Sequence, residues 1–232
     1  MQPIFEVIPA GVEILLYADD VLLIVKGKKH GELRKVLRKA VGAAVGWAAE
    51  VGFAVAPSKS KLLHVCSTRH RKRGRAIKID NVPIPMVRSL KILGIVIDFK
   101  LNFKKHFSYI KESCRKRTQI LKILGRRLKR SNRTTLLKIG SALVLSKLFF
   151  GIGITSINIT EMEKTLGPTY NDIIRQATGA FATSPIISIM AEAGCLPFHF
   201  AIIQRLGQLA VRYLEKRRIS TKFLCSKEQE VC

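Results

Sequence analysis

Two short apolar runs, Val12-Glu13-Ile14-Leu15-Leu16-Tyr17 and Val21-Leu22-Leu23-Ile24-Val25, flank Ala18-Asp19-Asp20 and constrain this chain more than any other feature. Such a density of β-branched and long aliphatic residues predicts strands, and a three-residue break leaves room only for a tight turn. The near-continuous apolarity predicts a hairpin buried on both faces. Its tip carries two adjacent carboxylates, which repel each other and resist burial, so something must balance them. Magnesium takes one or two carboxylates together with substrate phosphates as ligands. Aspartates also cap turns through their own hydrogen bonds, and on the residues alone both readings stand.

Downstream, Leu33, Val36, Leu37, Ala40, Ala44, Trp47 and Val51 recur at three and four with Lys and Arg opposite, which predicts a helix from Gly31 to Val51 ended by Gly52. A strand is expected over Lys61–Val65 and a small hairpin over Ile77–Ile84, pausing at Asn81 and Pro83. Leu90–Ile97 is a further apolar run broken by Gly94. From Phe107 the period becomes helical, with Ile110, Cys114, Leu121, Leu124 and Leu128 on one face. Helices follow over about Thr134–Phe150, Glu161–Phe181 and Phe198–Arg217. The fold class is α+β, residues 1–106 mixed and 107–232 all helical.

The chain holds 41 Lys and Arg against 16 Asp and Glu, a formal charge of +25, and the excess is concentrated. Lys59–Lys78 has eight basic residues and no acid, with Arg71-Lys72-Arg73 at its peak. Ser113–Thr160 has eleven basic residues and no carboxylate. Polyphosphate is the fitting partner, because each neutralised phosphate releases counterions; a solvated basic face is the plainer reading.

Other classes are excluded. The longest apolar candidate, Ile139–Ile154, is interrupted by Lys147, so no transmembrane helix and no membrane partner are expected. Met1-Gln2-Pro3-Ile4-Phe5-Glu6 lacks a basic n-region and an apolar h-region, so no signal peptide is expected. Five scattered cysteines without a C-x-x-C pair predict a reducing, intracellular setting, cytoplasmic or nuclear, and the five histidines do not complete zinc spacing. Those histidines read as structural or surface residues, and Trp47 as core.

Tyr17-Ala18-Asp19-Asp20 between apolar strands resembles motif C of reverse transcriptases, the Y-x-D-D metal-binding hairpin of the polymerase palm. Gly52-Phe53-Ala54-Val55-Ala56-Pro57-Ser58-Lys59-Ser60-Lys61 is similar to motif D. Leu90-Lys91-Ile92-Leu93-Gly94-Ile95-Val96-Ile97-Asp98 resembles motif E, the primer grip. Ala191-Glu192-Ala193-Gly194-Cys195-Leu196-Pro197 is similar to the region after the polymerase in jockey-like non-LTR retrotransposons. The resemblance implies the C-terminal part of a palm, an antiparallel sheet with a packed helix, followed by a helical thumb. It implies RNA-directed DNA polymerisation by two-metal nucleotidyl transfer with Mg2+ or Mn2+, on an RNA template, a DNA primer and dNTPs.

By that resemblance Asp19 and Asp20 are metal ligands and catalytic residues, and Tyr17 and Ala18 lie near the primer terminus and incoming nucleotide. Lys59 sits at the motif D lysine, where an ammonium serves the departing pyrophosphate; it reads equally as a turn lysine. Leu93-Gly94 would let backbone approach the primer closely, or else form a strand bulge. Arg115, Lys116, Arg117, Arg126, Arg127, Lys129 and Arg130 fall where a thumb tracks duplex phosphates. Motif A, which supplies the third carboxylate, and motif B have no counterpart before Tyr17, where Glu6 and Glu13 are the acids. The chain is therefore expected to be a polymerase fragment inactive by itself, the alternative being a non-catalytic basic nucleic-acid-binding module. Its oligomeric state is left open.

Overall fold

A computed structural model describes residues 3–66, 76–127 and 133–229, with side chains over 3–66, 76–124 and 134–215. It is α+β, and its contacts divide it into two compact units, Met1–Leu90 and Lys91–Cys232. The division precedes Phe107, so Lys91–Asp98 goes with the helices.

The first unit opens with the short helix α1 (Ile4–Val7) and the hairpin β1 (Val12–Tyr17) and β2 (Asp20–Val25). These strands pair antiparallel, Val12 opposite Val25 through Tyr17 opposite Asp20. Helix α2 (His30–Glu50) forms where the three-and-four periodicity places it. It ends because Gly52, at φ 82°, turns the chain left-handed, so that Gly52 N–H reaches Ala49 O (3.1 Å) and Phe53 N–H reaches Ala48 O (2.7 Å). Those two bonds satisfy carbonyls that the helix end would otherwise orphan.

Four minimal strands complete the unit. β3 (Leu62–Leu63) pairs parallel with β6 (Met86–Val87), and β4 (Lys78–Ile79) pairs antiparallel with β5 (Val82–Pro83) around Asp80-Asn81. The positive φ of both Asp80 and Asn81 matches the turn that suits strand twist best. Ile77, Ile79 and Ile84 form the core here, with Leu37, Val41, Val45, Val55 and Leu62 packed on them. Among the described residues the strands form four separate two-stranded sheets, one of them parallel, where the resemblance implied an antiparallel sheet with a packed helix.

In the second unit β7 (Ser89–Ile92), which straddles the division, and β8 (Ile95–Asp98) make a hairpin around Leu93-Gly94. The run read as one broken strand is thus two strands. Helix α3 (Lys104–Arg127) follows, then α4 (Arg133–Gly140), a π-helical segment Ser141–Leu145, and α5 (Ser146–Leu148). The π segment lies where two α3 side chains take its carbonyls: Arg117 Nη1 donates to Leu143 O (2.8 Å) and Cys114 Sγ to Val144 O (3.8 Å). Side-chain donors competing for ladder carbonyls are a known cause of such local unwinding.

The short α6 (Ile152–Thr155) leads to α7 (Ile159–Thr178), where Asn158 Oδ1 accepts from Glu161 N–H (3.3 Å) as a cap. Then come α8 (Ile186–Ala193) and α9 (Phe198–Gln229). α3 packs along α7, and Phe107, Ile110, Cys114, Leu121, Leu166, Ile173, Ile174 and Ile202 are sealed in one core. Burial pushes the Cys114 thiol up to about 11 and the Tyr170 hydroxyl, which donates to Leu196 O (2.8 Å), to about 12. Among the described residues no single helix is long and apolar enough to cross a membrane.

Candidate metal hairpin and nucleic-acid interface

The β1–β2 hairpin closes through a two-residue loop, Ala18-Asp19, with Tyr17 paired to Asp20. Ala18 holds φ 49°, a conformation that favours glycine, so the loop carries backbone strain at the position that presents the carboxylates. The hairpin is not buried on both faces. Val12, Ile14 and Leu22–Val25 are half-buried, but cover is lost towards the tip, where Leu15 is 57% and Tyr17 64% exposed. Helix α2 packs on this hairpin, and its shelter does not extend to the outer residues; apolarity alone could not say how far that cover would reach.

Asp19 and Asp20 are both exposed, and neither forms an ion pair or side-chain hydrogen bond among the described residues. They fit a divalent cation in part: two adjacent hard oxygen donors open to solvent and to a phosphate-bearing substrate. No group of three or more His, Cys, Asp or Glu gathers to hold a metal among the described residues. Lys59 is exposed in a turn held by Lys59 N–H and Ser60 N–H to Ala56 O (3.2 and 3.1 Å). No described hydrogen bond or ion pair joins it to the hairpin carboxylates.

Leu93 and Gly94, at φ 46° and 86°, are the β7–β8 turn, with Leu93 exposed. A Cβ on Gly94 would stand 3.0 Å from Phe150 Cε1, so its backbone approaches that ring closely. Gly94 thereby has a conformational and a packing reason within the unit.

Of the basic residues singled out on α3, Arg115 grips Glu112 with Nε and Nη2 (3.0 Å each), and Lys116 lies 3.9 Å from the same carboxylate. This pairing holds Glu112 below the usual carboxylate range and raises Arg115. The acid-free stretch thus begins one residue past the acid that these two cations share, and the lack of compensating acids does not extend to them. Arg117 is engaged by Leu143 O. Arg126 and Arg127 are in the last turn of α3, their side chains not described; Arg71, Lys72, Arg73, Lys129 and Arg130 lie outside the described residues.

A cationic cluster that the sequence reading missed lies close to Phe150 in the same unit. Lys91 Nζ donates to Tyr109 Oη (3.0 Å) and stands 4.6 Å from that ring's centre; Lys147 Nζ is 5.2 Å from the Tyr109 ring and 4.5 Å from that of Phe150. The Lys91 hydrogen bond, with the positive charges of Lys147, Lys91 and Arg117, lowers the Tyr109 pKa. Cations over partly exposed aromatic faces are the elements from which phosphate-and-base surfaces are built. Lys147 had a sequence signal, as the one charge inside an apolar run; Tyr109 had none.

Two more polar groups order this unit. Asp98, 4% exposed, accepts from Lys100 N–H (3.0 Å) and Asn102 N–H (3.4 Å) through Oδ1, and from Phe103 N–H (2.8 Å) through Oδ2. Buried His106 accepts from Val96 N–H at Nδ1 (3.2 Å) and bonds the Phe150 backbone.

An α+β chain with a carboxylate-tipped hairpin and a separate cationic-aromatic surface is the class that this fold and site define. Over 100 residues, 43% of its length, the chain is 26% identical to a putative 115 kDa protein in the type-1 retrotransposable element R1DM of Drosophila melanogaster. Over 99 residues, also 43%, it is 27% identical to a probable RNA-directed DNA polymerase from transposon X-element of the same fly. The chain is thus related over that stretch to proteins of non-LTR retrotransposons, and the match covers 10% and 11% of those relatives' own lengths. No family model matches the chain, and no solved structure does.

Proposed function

We propose that the chain is part of a retrotransposon reverse transcriptase, of the jockey-like group, in which a palm portion with the Tyr17-Ala18-Asp19-Asp20 hairpin precedes a helical thumb. The observation that carries the reading is the hairpin itself: a strained tip that presents the Asp19 and Asp20 carboxylates in the open, unpaired among the described residues, in a chain related to retrotransposon polymerases. Asp19 and Asp20 would hold Mg2+ or Mn2+, which when bound supplies Lewis-acid activation of a primer 3′-hydroxyl and charge neutralisation at the dNTP phosphates. Tyr17 and Ala18 flank the nucleotide. Lys59 donates a proton to the leaving pyrophosphate.

Leu93 and Gly94 carry the primer-side turn. Lys91, Lys147 and Tyr109, with Arg115, Lys116, Arg117, Arg126, Arg127, Lys129 and Arg130, hold template–primer phosphates, while Arg71, Lys72 and Arg73 add a second basic contact. Two carboxylates without a third among the described residues leave the metal loosely held, so the chain by itself does not extend a primer.

Binding of an RNA–DNA hybrid is measured while magnesium is titrated. The metal tightens binding to the wild-type chain, and Asp19→Asn removes that tightening. Primer extension by the chain alone gives no product; robust extension would overturn the inactivity. A second reading, a non-catalytic nucleic-acid-binding module, draws on the Lys91–Tyr109–Lys147 cluster, which is built without the carboxylates. Binding indifferent to magnesium yet falling steeply with salt would favour it.

A further inference from the structure

We propose that His30 and Arg34, with the His64 ring beside His30, form a binding site for a phosphate group in the first unit. His30 opens α2 and Arg34 follows one helical turn later, so the two side chains share a face. The His30 and His64 rings lie against each other with centroids 4.7 Å apart. Arg34 Nη1 and Nη2 and His30 Nε2 are withdrawn from solvent and have no hydrogen-bond partner among the described residues. Buried guanidinium nitrogens are very rarely left so, because their desolvation is uncompensated. The acid nearest in sequence does not answer them: Glu32 is exposed and paired with Lys29 (3.1 Å).

The chemistry selects the ligand. A guanidinium presents two parallel N–H donors that match two oxygens of one oxyanion. A carboxylate would be used up by that fork, whereas phosphate keeps further oxygens for the His30 imidazole. A metal ion is disfavoured, since the guanidinium repels it and no third His, Cys, Asp or Glu joins the histidines among the described residues. The site uses neither Asp19 nor Asp20 and does not rest on the metal reading.

The test uses the full chain and inorganic phosphate, followed by 31P line broadening at ionic strength held constant with chloride. Saturable binding is expected, weakened about tenfold or more in Arg34→Gln and also in Arg34→Lys, which keeps the charge and loses the fork. Asp19→Asn leaves it unchanged, which separates this site from the magnesium reading. Absence of saturation, or an Arg34→Gln chain that binds as the wild type does, overturns the proposal. Should both Arg34 variants fail to fold, the wild-type chain still decides: phosphate must shift the His30 ring resonances, and unmoved resonances overturn the site. Two sources of the phosphate are then told apart by adding an RNA–DNA hybrid. Release of bound phosphate identifies a strand's backbone as the ligand, and simultaneous binding identifies the free ion.

Discussion

Asp98 shows how much one carboxylate can organise: with three backbone N–H groups on its two oxygens, it fixes the loop that feeds α3. Asp98→Ala strands those donors and should lower stability by about 3 kcal/mol, while Asp98→Asn, which keeps an acceptor, should lose about 1–2 kcal/mol; urea unfolding followed at 222 nm measures both. His106 gives a pH signature. Burial, with the nearby Lys147 charge adding, lowers its pKa below the ordinary 6.5, so the fold holds it neutral while the unfolded chain takes a proton more readily. Its contribution is complete above pH 6.5 and is lost as pH falls from there through the folded value. The melting temperature of the helical unit should therefore drop as the pH falls below 6.5, and His106→Gln should flatten that dependence. Neither role was legible in the sequence, where Asp98 ended a motif and His106 was one scattered histidine. Both depend on backbone N–H groups brought round by turns at Leu101, Phe103 and Gly94; Gly94 marked its break, but no local pattern announced the positive φ of Leu101 and Phe103.

Turns separate the elements that could be read from those that could not. The α2 helix was legible because its apolar period and Gly52 agree, and Asn81 marked its hairpin because it tolerates positive φ, although the turn takes Asp80 as well and Pro83, also read as a pause, lies in β5. Leu93-Gly94 was half-hidden, since leucine is a poor turn residue, and α8 was missed because two turns of helix show too little period. The two loops given roles in the proposed function should respond oppositely to substitution. Gly94→Ala adds a Cβ at φ 86° and 3.0 Å from the Phe150 ring, and should cost about 3 kcal/mol in the helical unit, read by urea unfolding at 222 nm. Ala18→Gly relieves a strained φ at an exposed tip and should raise the stability of the first unit by about 0.5–1 kcal/mol, read by fluorescence. A loss of stability in Ala18→Gly would mean that the hairpin tip carries no backbone strain.

At the scale of the molecule, apolar content told little about which surfaces would be covered. Leu15, Leu16, Tyr17 and Val21 have the composition of a core strand and remain exposed, because burial requires neighbours that a strand's own sequence does not specify. The same inequality separates the two units. Among the described residues the first is centred on three buried isoleucines, Ile77, Ile79 and Ile84. The second seals a continuous cluster running from Phe103 to Ile202 through six α-helices. Each fully buried aliphatic or aromatic side chain contributes roughly 1.5–3 kcal/mol against the entropy of ordering the chain, so the smaller core is the weaker one. The chain's one tryptophan, Trp47 on α2, reports on the first unit, while most helical residues, and hence most of the signal at 222 nm, belong to the second. Unfolding in urea should therefore be non-coincident, with Trp47 fluorescence changing at a lower concentration than the 222 nm ellipticity. A single transition with matching midpoints from both probes would show instead that the units share their stability, and a ligand for the first unit alone would then stabilise the whole chain.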